Sequence, residues 1–126
     1  MKRIAVDHLR AAAAATPGPQ PLADDVGLAD GWWSRLRGLI GRPPLQAGQG
    51  LWILPCQQVH THFMGAPIDV VFVDPAGRVL RVLRGLKPWR FSPWVRGARA
   101  VLELPAGGAQ ALAEGDQLLT RPRHAG

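Results

Sequence analysis

Residues 56–74 read CQQVHTHFMGAPIDVVFVD, and the end of that stretch decides the fold. From Ile68 to Val73 every residue except Asp69 is β-branched or aromatic, and Asp74-Pro75-Ala76-Gly77 comes next as a strong turn signal. A strand apolar at both parities is buried on both faces. Alternation puts Ile68, Val70 and Phe72 on one side and Asp69, Val71 and Val73 on the other. Asp69 therefore points into an apolar layer, where a lone carboxylate is costly, so it requires a cation or several hydrogen-bond donors. Arg37 is the first partner expected and His60 the second.

Around this strand the chain reads as short strands separated by Pro and Gly. Gly50–Leu54 predicts a strand closed by Pro55, and Val59–Phe63 another. After the turn comes RVLRVLRGL, residues 78–86, with arginine at every third position. Two valines, the turn before it and the Pro88 soon after favour strand over helix. KPWRFSPWVRG, residues 87–97, is a loop. Arg99–Leu104 returns to strand and Pro105-Ala106-Gly107-Gly108 breaks it. Ala109–Glu114 allows one or two helical turns, Gln117–Thr120 makes a last strand, and RPRHAG is a frayed tail. Upstream, Val26–Ala29 forms a short first strand, and Asp30 caps a helix over Gly31–Leu39 with Trp33, Leu36, Leu39 and Ile40 on one face. Residues 1–21 hold an alanine run and a Pro/Gly segment and read as an appended arm and linker. The expected fold is mainly β, bordering on α+β. It is a curved sheet or partly open β-barrel of six to seven short strands with one or two short helices, in a single domain over residues 22–120 with a tail at 121–126.

The chain has 126 residues, enough to bury a core without metal or disulfides, and its single cysteine excludes an internal disulfide. Its 15 Lys and Arg against 9 Asp and Glu give a net charge of +6, which permits attraction to nucleic acid, anionic lipid or acidic proteins. No apolar run approaches the roughly 18 residues that span a bilayer. Met1-Lys2-Arg3 looks like the start of a secretory signal, but Asp7, His8 and Arg10 interrupt the apolar region a signal needs, so a cytoplasmic location is expected.

Several separated motifs together carry a resemblance. Arg37-Gly38-Leu39-Ile40-Gly41-Arg42, His60-Thr61-His62-Phe63-Met64, Pro67-Ile68-Asp69, Val71-Phe72-Val73-Asp74, Val101-Leu102-Glu103-Leu104-Pro105-Ala106-Gly107 and Gly115-Asp116 occur in the order of the family catalogued as domain of unknown function 192. The chain resembles that family over about residues 22–120. The resemblance implies a compact, largely β fold and no established activity. Where the family usually has Phe-Trp-Met the chain has His62-Phe63-Met64, and Gly65-Ala66 replaces a common Asn-Thr.

Four constellations carry possible chemistry. Cys56, His60, His62 and Met64 share one parity and are the residue types that ligate soft copper, although one ion can seldom reach more than two neighbours on a strand face. A buried cysteine, a core methionine and hydrogen-bonded histidines are the structural alternative. Asp69 with Arg37 or His60 is either an ion pair locking helix to sheet or a polar anchor in a pocket. Asp69 with Glu103 would serve acid–base hydrolysis if the two shared a cleft about 5 to 10 Å across. Lastly, Arg78, Arg81, Arg84, Lys87, Arg90, Arg96 and Arg99 fall between Pro75 and Leu102 with no acidic residue among them, and Trp89, Phe91 and Trp94 are interleaved. Such a pattern fits single-stranded nucleic acid if the aromatics are exposed, and a lid over the core if they fold back.

Phosphate-loop, nucleophile-elbow and paired-cysteine zinc motifs are absent from the sequence, and no cofactor is implied. The leading expectation is a non-enzymatic binding or accessory module. Its pocket is built from His60, His62, Asp69, Glu103 and Arg37, roofed by Trp89 and Trp94, for a small polar or anionic ligand or a protein segment. A single-stranded nucleic-acid binder and a carboxylate-dependent hydrolase are the alternatives.

Overall fold

The computed structural model describes residues 2–11, 18–29, 44–61 and 65–123. Seven strands form one sheet: β1 (Lys2–Leu9), β2 (Gln20–Ala29), β3 (Gln49–Ile53), β4 (Ile68–Val73), β5 (Val79–Leu86), β6 (Ala100–Pro105) and β7 (Gln117–Pro122). Their order is β5-β4-β6-β3-β2-β1-β7, antiparallel throughout except for the parallel pair β2/β3. The sheet curls until its two edge strands meet at one end, where Arg78 bridges Gln117, Val79 N–H donates to Asp116 O at 2.8 Å and Leu118 N–H donates to Gly77 O at 2.9 Å. The result is a half-barrel. Gly77 makes the closure possible: its φ is +85°, and a Cβ there would stand 2.6 Å from Leu118 O.

All six residues of β4 are buried. Its two faces meet two different cores. Val71 and Val73 pack with Ile4, Val6, Val26, Trp52, Leu102, Leu104 and Leu118 inside the curl, in a cluster drawing on every strand. Ile68, Val70 and Phe72 pack outside it with Leu51, Ile53 and Val101, beneath Val59, Val95 and Ala98 from the loops. Each fully buried Val or Phe contributes roughly 1.5–3 kcal/mol, so this strand is the main apolar anchor of the sheet. The turn after it is fixed by Asp74, whose Oδ1 accepts the N–H groups of Ala76 and Arg78, both at 2.9 Å.

Several sequence expectations change. Lys2–Leu9, assigned to an appended arm, is β1, hydrogen-bonded between β2 and β7 with Ile4, Val6 and His8 buried. Val59–Phe63, expected as a strand, contributes a single bridge, His60 to Phe91; its residues 62–63 lie outside the described residues. Ala109–Glu114 forms successive turns rather than helix, closed by Gln110 N–H to Gly107 O and Leu112 N–H to Ala109 O. The tail is ordered through Pro122, because Arg121 pairs with Asp7 at 2.9 Å. The predicted helix over 31–39 lies outside the described residues, and among the described residues there is no helix.

Candidate functional site

Asp69 is 1% exposed, and three main-chain amides hold it. Its Oδ1 accepts Gly85 N–H at 2.9 Å, and its Oδ2 accepts Gly107 N–H at 3.0 Å and Ala109 N–H at 2.9 Å. The Gly85 donor is released by a bulge: between the pairs Ile68↔Leu86 and Val70↔Leu83, β4 has one residue and β5 has two. Gly85 sits there at φ +67°. The buried carboxylate is thus a clamp joining β4, the β5 bulge and the turn after β6. His60 is not among these donors, and Arg37 lies outside the described residues.

Glu103 is fully buried in the middle of β6. In register it stands opposite Val70 on β4 and Leu51 on β3, whereas Asp69 stands opposite Leu104. Residues opposite one another share a face, so Asp69 lies on the inner face and Glu103 on the outer one. They do not share a cleft, and the paired carboxylates that hydrolysis requires are not assembled from them. No group of three or more His, Cys, Asp or Glu able to hold a metal occurs among the described residues. His62 and Met64 of the proposed copper set lie outside them.

A third buried acid, Asp116, entered the sequence analysis only within the motif Gly115-Asp116 and not as a candidate site residue. Asp116 accepts His8 Nε2–H at 2.7 Å and Ala113 N–H at 3.0 Å on Oδ2, and Ala11 N–H at 3.1 Å on Oδ1. Burial by itself raises the Asp116 carboxyl, but the Ala11 and Ala113 amides and then His8 outweigh it, leaving the pKa below the ordinary carboxylate value. The alternation of Ile4, Val6 and His8 was the available signal, with His8 continuing the buried face of β1.

The polar chemistry that faces solvent lies on the 87–99 loop. Its small and aliphatic residues turn inward: Ser92, Val95 and Ala98 are buried. Its large aromatics turn outward, with Trp89 56%, Phe91 67% and Trp94 65% exposed. The expected lid over the core is therefore not what these side chains form. Nor is the loop slack. Trp89 N–H donates to Thr61 O at 3.1 Å, Thr61 N–H to Arg90 O at 2.8 Å, Ser92 N–H to Val59 O at 2.8 Å and Val95 N–H to Gln57 O at 2.9 Å. Buried Thr61 and Ser92 lock it further, Thr61 Oγ1 accepting Arg90 N–H and Ser92 Oγ accepting Val59 N–H. Neither hydroxyl was marked by sequence reasoning, because a side chain that staples loop to loop has no motif.

All seven basic residues from Arg78 to Arg99 are exposed. His60 lies beside the aromatics, its ring 6.0 Å from that of Phe91 and tilted by 52°. Two hollows flank the loop. One, of about 440 Å³, is lined by Arg84, Lys87, Arg90 and Pro93 among others; the second, of about 520 Å³, is lined by Pro55, Cys56, Gln57, Gln58, Trp94, Ala98 and Arg99.

Fold and surface together define a small β half-barrel that presents a fixed, basic, aromatic loop. The chain belongs to the domain of unknown function 192 family, described as an uncharacterised ACR, whose model matches residues 13–120. It is 34% identical over 87 residues to a UPF0127 protein of Thermococcus sibiricus, covering 65% of this chain and 55% of that one. It is 36% identical over 101 residues to a UPF0127 protein of Pyrococcus furiosus, covering 75% of this chain and 84% of that one. The chain thus spans little more than half the length of the Thermococcus relative. A crystal structure of a protein of unknown function from Novosphingobium aromaticivorans has the same fold, with a TM-score of 0.76 at 22% identity over 93% of this chain and 84% of that one. Among the described residues no helix is long and apolar enough to cross a membrane.

Proposed function

We propose that this protein is a binding module for single-stranded nucleic acid, with the 87–99 loop as its contact surface. One observation carries the reading: the loop buries Ser92, Val95 and Ala98 and leaves Trp89, Phe91 and Trp94 in water. Transfer energies favour the reverse, since a large aromatic buries 150–250 Å² and a serine almost nothing. Together the three rings leave on the order of 400 Å² exposed within six residues of one loop.

Trp89 sharpens the point. Its φ is +63°, the left-handed region, which costs a residue with a side chain roughly 1–2 kcal/mol that glycine would not incur. A strained backbone at a largely exposed indole is the kind of outlier that clusters at functional sites. Planar rings stack on bases of any sequence, and Lys87, Arg90, Arg96 and Arg99 supply the phosphate contacts. No carboxylate in the stretch from Pro75 to Leu102 opposes them.

The pocket first expected around His60, His62 and Asp69 is the weaker reading, because Asp69 already accepts three main-chain N–H groups on the inner face of the sheet. Fluorescence anisotropy of a labelled oligo(dT) of about ten nucleotides tests the proposal. Saturable binding at low salt that anionic vesicles fail to compete away is expected. Absence of binding, or displacement by vesicles at matched charge, would overturn it.

A further inference from the structure

We infer that the hollow beneath Trp94 is a base-binding subsite, taking one nucleobase of the strand held by the loop. The inference rests on the nucleic-acid reading above and assigns a place within it.

The hollow is a built space rather than a gap between mobile segments. Cys56 N–H donates to Arg99 O at 2.9 Å, Val95 N–H to Gln57 O at 2.9 Å, and the Gln58 side-chain amide to Ser92 O at 2.9 Å, so both walls are pinned to each other. Its volume of about 520 Å³ lies within the 300–1,000 Å³ range of small-molecule sites. The lining combines three chemistries. Trp94, Pro55 and Ala98 offer apolar and aromatic surface, Gln57 and Gln58 carry amides, and Arg99 carries a positive charge, with no carboxylate among them. A flat ring with hydrogen-bonding edges, tethered to an anion, matches all three at once. A fatty chain would leave the Gln57 amide and the Arg99 charge unused, and inorganic phosphate would leave the aromatic wall unused.

Position makes the same case. Trp94 belongs both to the exposed aromatic series and to the lining of the hollow, so a strand stacked along Phe91 and Trp94 passes its mouth. The subsite would be the place where a module otherwise indifferent to sequence distinguishes one base from another, since stacking tolerates any base and amide contacts do not.

The sole cysteine of the chain reports on occupancy, because Cys56 lines the hollow. Its alkylation by iodoacetamide is measured with saturating oligonucleotide, alongside amide NMR shifts of residues 56–58 and 98–99. Homopolymers of the four bases and an abasic chain of equal length are compared, with binding verified by anisotropy. Base-bearing strands are expected to slow alkylation about tenfold or more and to shift these amides, with one base clearly preferred, while the abasic chain does neither. Strands that bind while both alkylation and amide shifts stay unchanged would overturn the subsite and leave the loop reading standing. No binding at all would overturn both.

Discussion

Asp69 and Glu103 lie on neighbouring strands, one register step apart, and face opposite sides of the sheet. Asp69 enters the inner core, where Gly85, Gly107 and Ala109 supply its donors. Glu103 enters the outer core with Val70, Val101 and Leu51. This opposition separates the two acids that sequence alone could pair. It also makes Asp69 a structural clamp between β4, the β5 bulge and the turn after β6.

Removing the clamp is expected to be severe. Asp69→Ala leaves the buried Ala109 N–H without its acceptor, at about 1–3 kcal/mol, and releases the part-buried Gly85 and Gly107 N–H groups at a smaller cost each, together a large share of a stability of roughly 5–15 kcal/mol. Asp69→Asn keeps the shape but turns an amide nitrogen toward at least one donor, so it should cost at least about 1 kcal/mol and less than the alanine variant. Urea unfolding measures both, and an asparagine variant as stable as the native chain would contradict the assignment.

Asp116 predicts an acid-side loss of stability. Its folded pKa lies below its unfolded one, so its contribution is present in full above the unfolded value near 3.9 and is lost as pH falls from there through the folded pKa. Thermal melts between about pH 6 and pH 2 should show a decline that is shallower in Asp116→Asn. The variant should also be less stable than the native chain at neutral pH, because the amide cannot accept all three donors.

Gly77→Ala attacks the closure of the half-barrel. The added methyl meets Leu118 O at 2.6 Å in a backbone conformation that disfavours side chains, so a loss of about 2–4 kcal/mol is expected. Gly107→Ala shares the positive φ but meets nothing within 4 Å, and should cost less. Unfolding midpoints of the pair check the order.

Trp89 separates stability from function. If its left-handed backbone is strained, Trp89→Gly should be more stable than Trp89→Ala by about 1 kcal/mol, while both lose the same stacking contribution. Equal stability of the two variants would remove the strain argument.

Much of this fold was legible. IDVVFV with DPAG after it located β4 and its turn, and the same logic found β3, β5, β6 and β7. The missed strand, β1, alternates correctly through Ile4, Val6 and His8, but charges at Lys2, Arg3 and Asp7 and the alanines after Arg10 masked it. The helix expected at Ala109 failed because Gly107, Gly108 and the Asp69 clamp fix that segment as turns. For Asp69 the need for donors was readable and their identity was not, because main-chain amides leave no trace in sequence beyond glycines such as Gly85 and Gly107. The basic and aromatic character of the 87–99 loop was visible from the start. Which way its tryptophans point was not, since that depends on Thr61 and Ser92 fixing the loop.

The most direct test of the nucleic-acid reading is the salt dependence of oligo(dT) affinity for the native chain, Phe91→Ala and Trp94→Ala, and Arg90→Gln and Arg96→Gln. Four loop cations allow a slope of log Kobs against log salt no steeper than about −3, and each arginine variant should flatten it by about 0.7. Each aromatic variant should weaken binding between about 5-fold and 150-fold at unchanged slope, because stacking is worth about 1–3 kcal/mol per base and releases no counterions. Aromatic variants that bind as tightly as the native chain would contradict the account, reducing the loop to a basic surface.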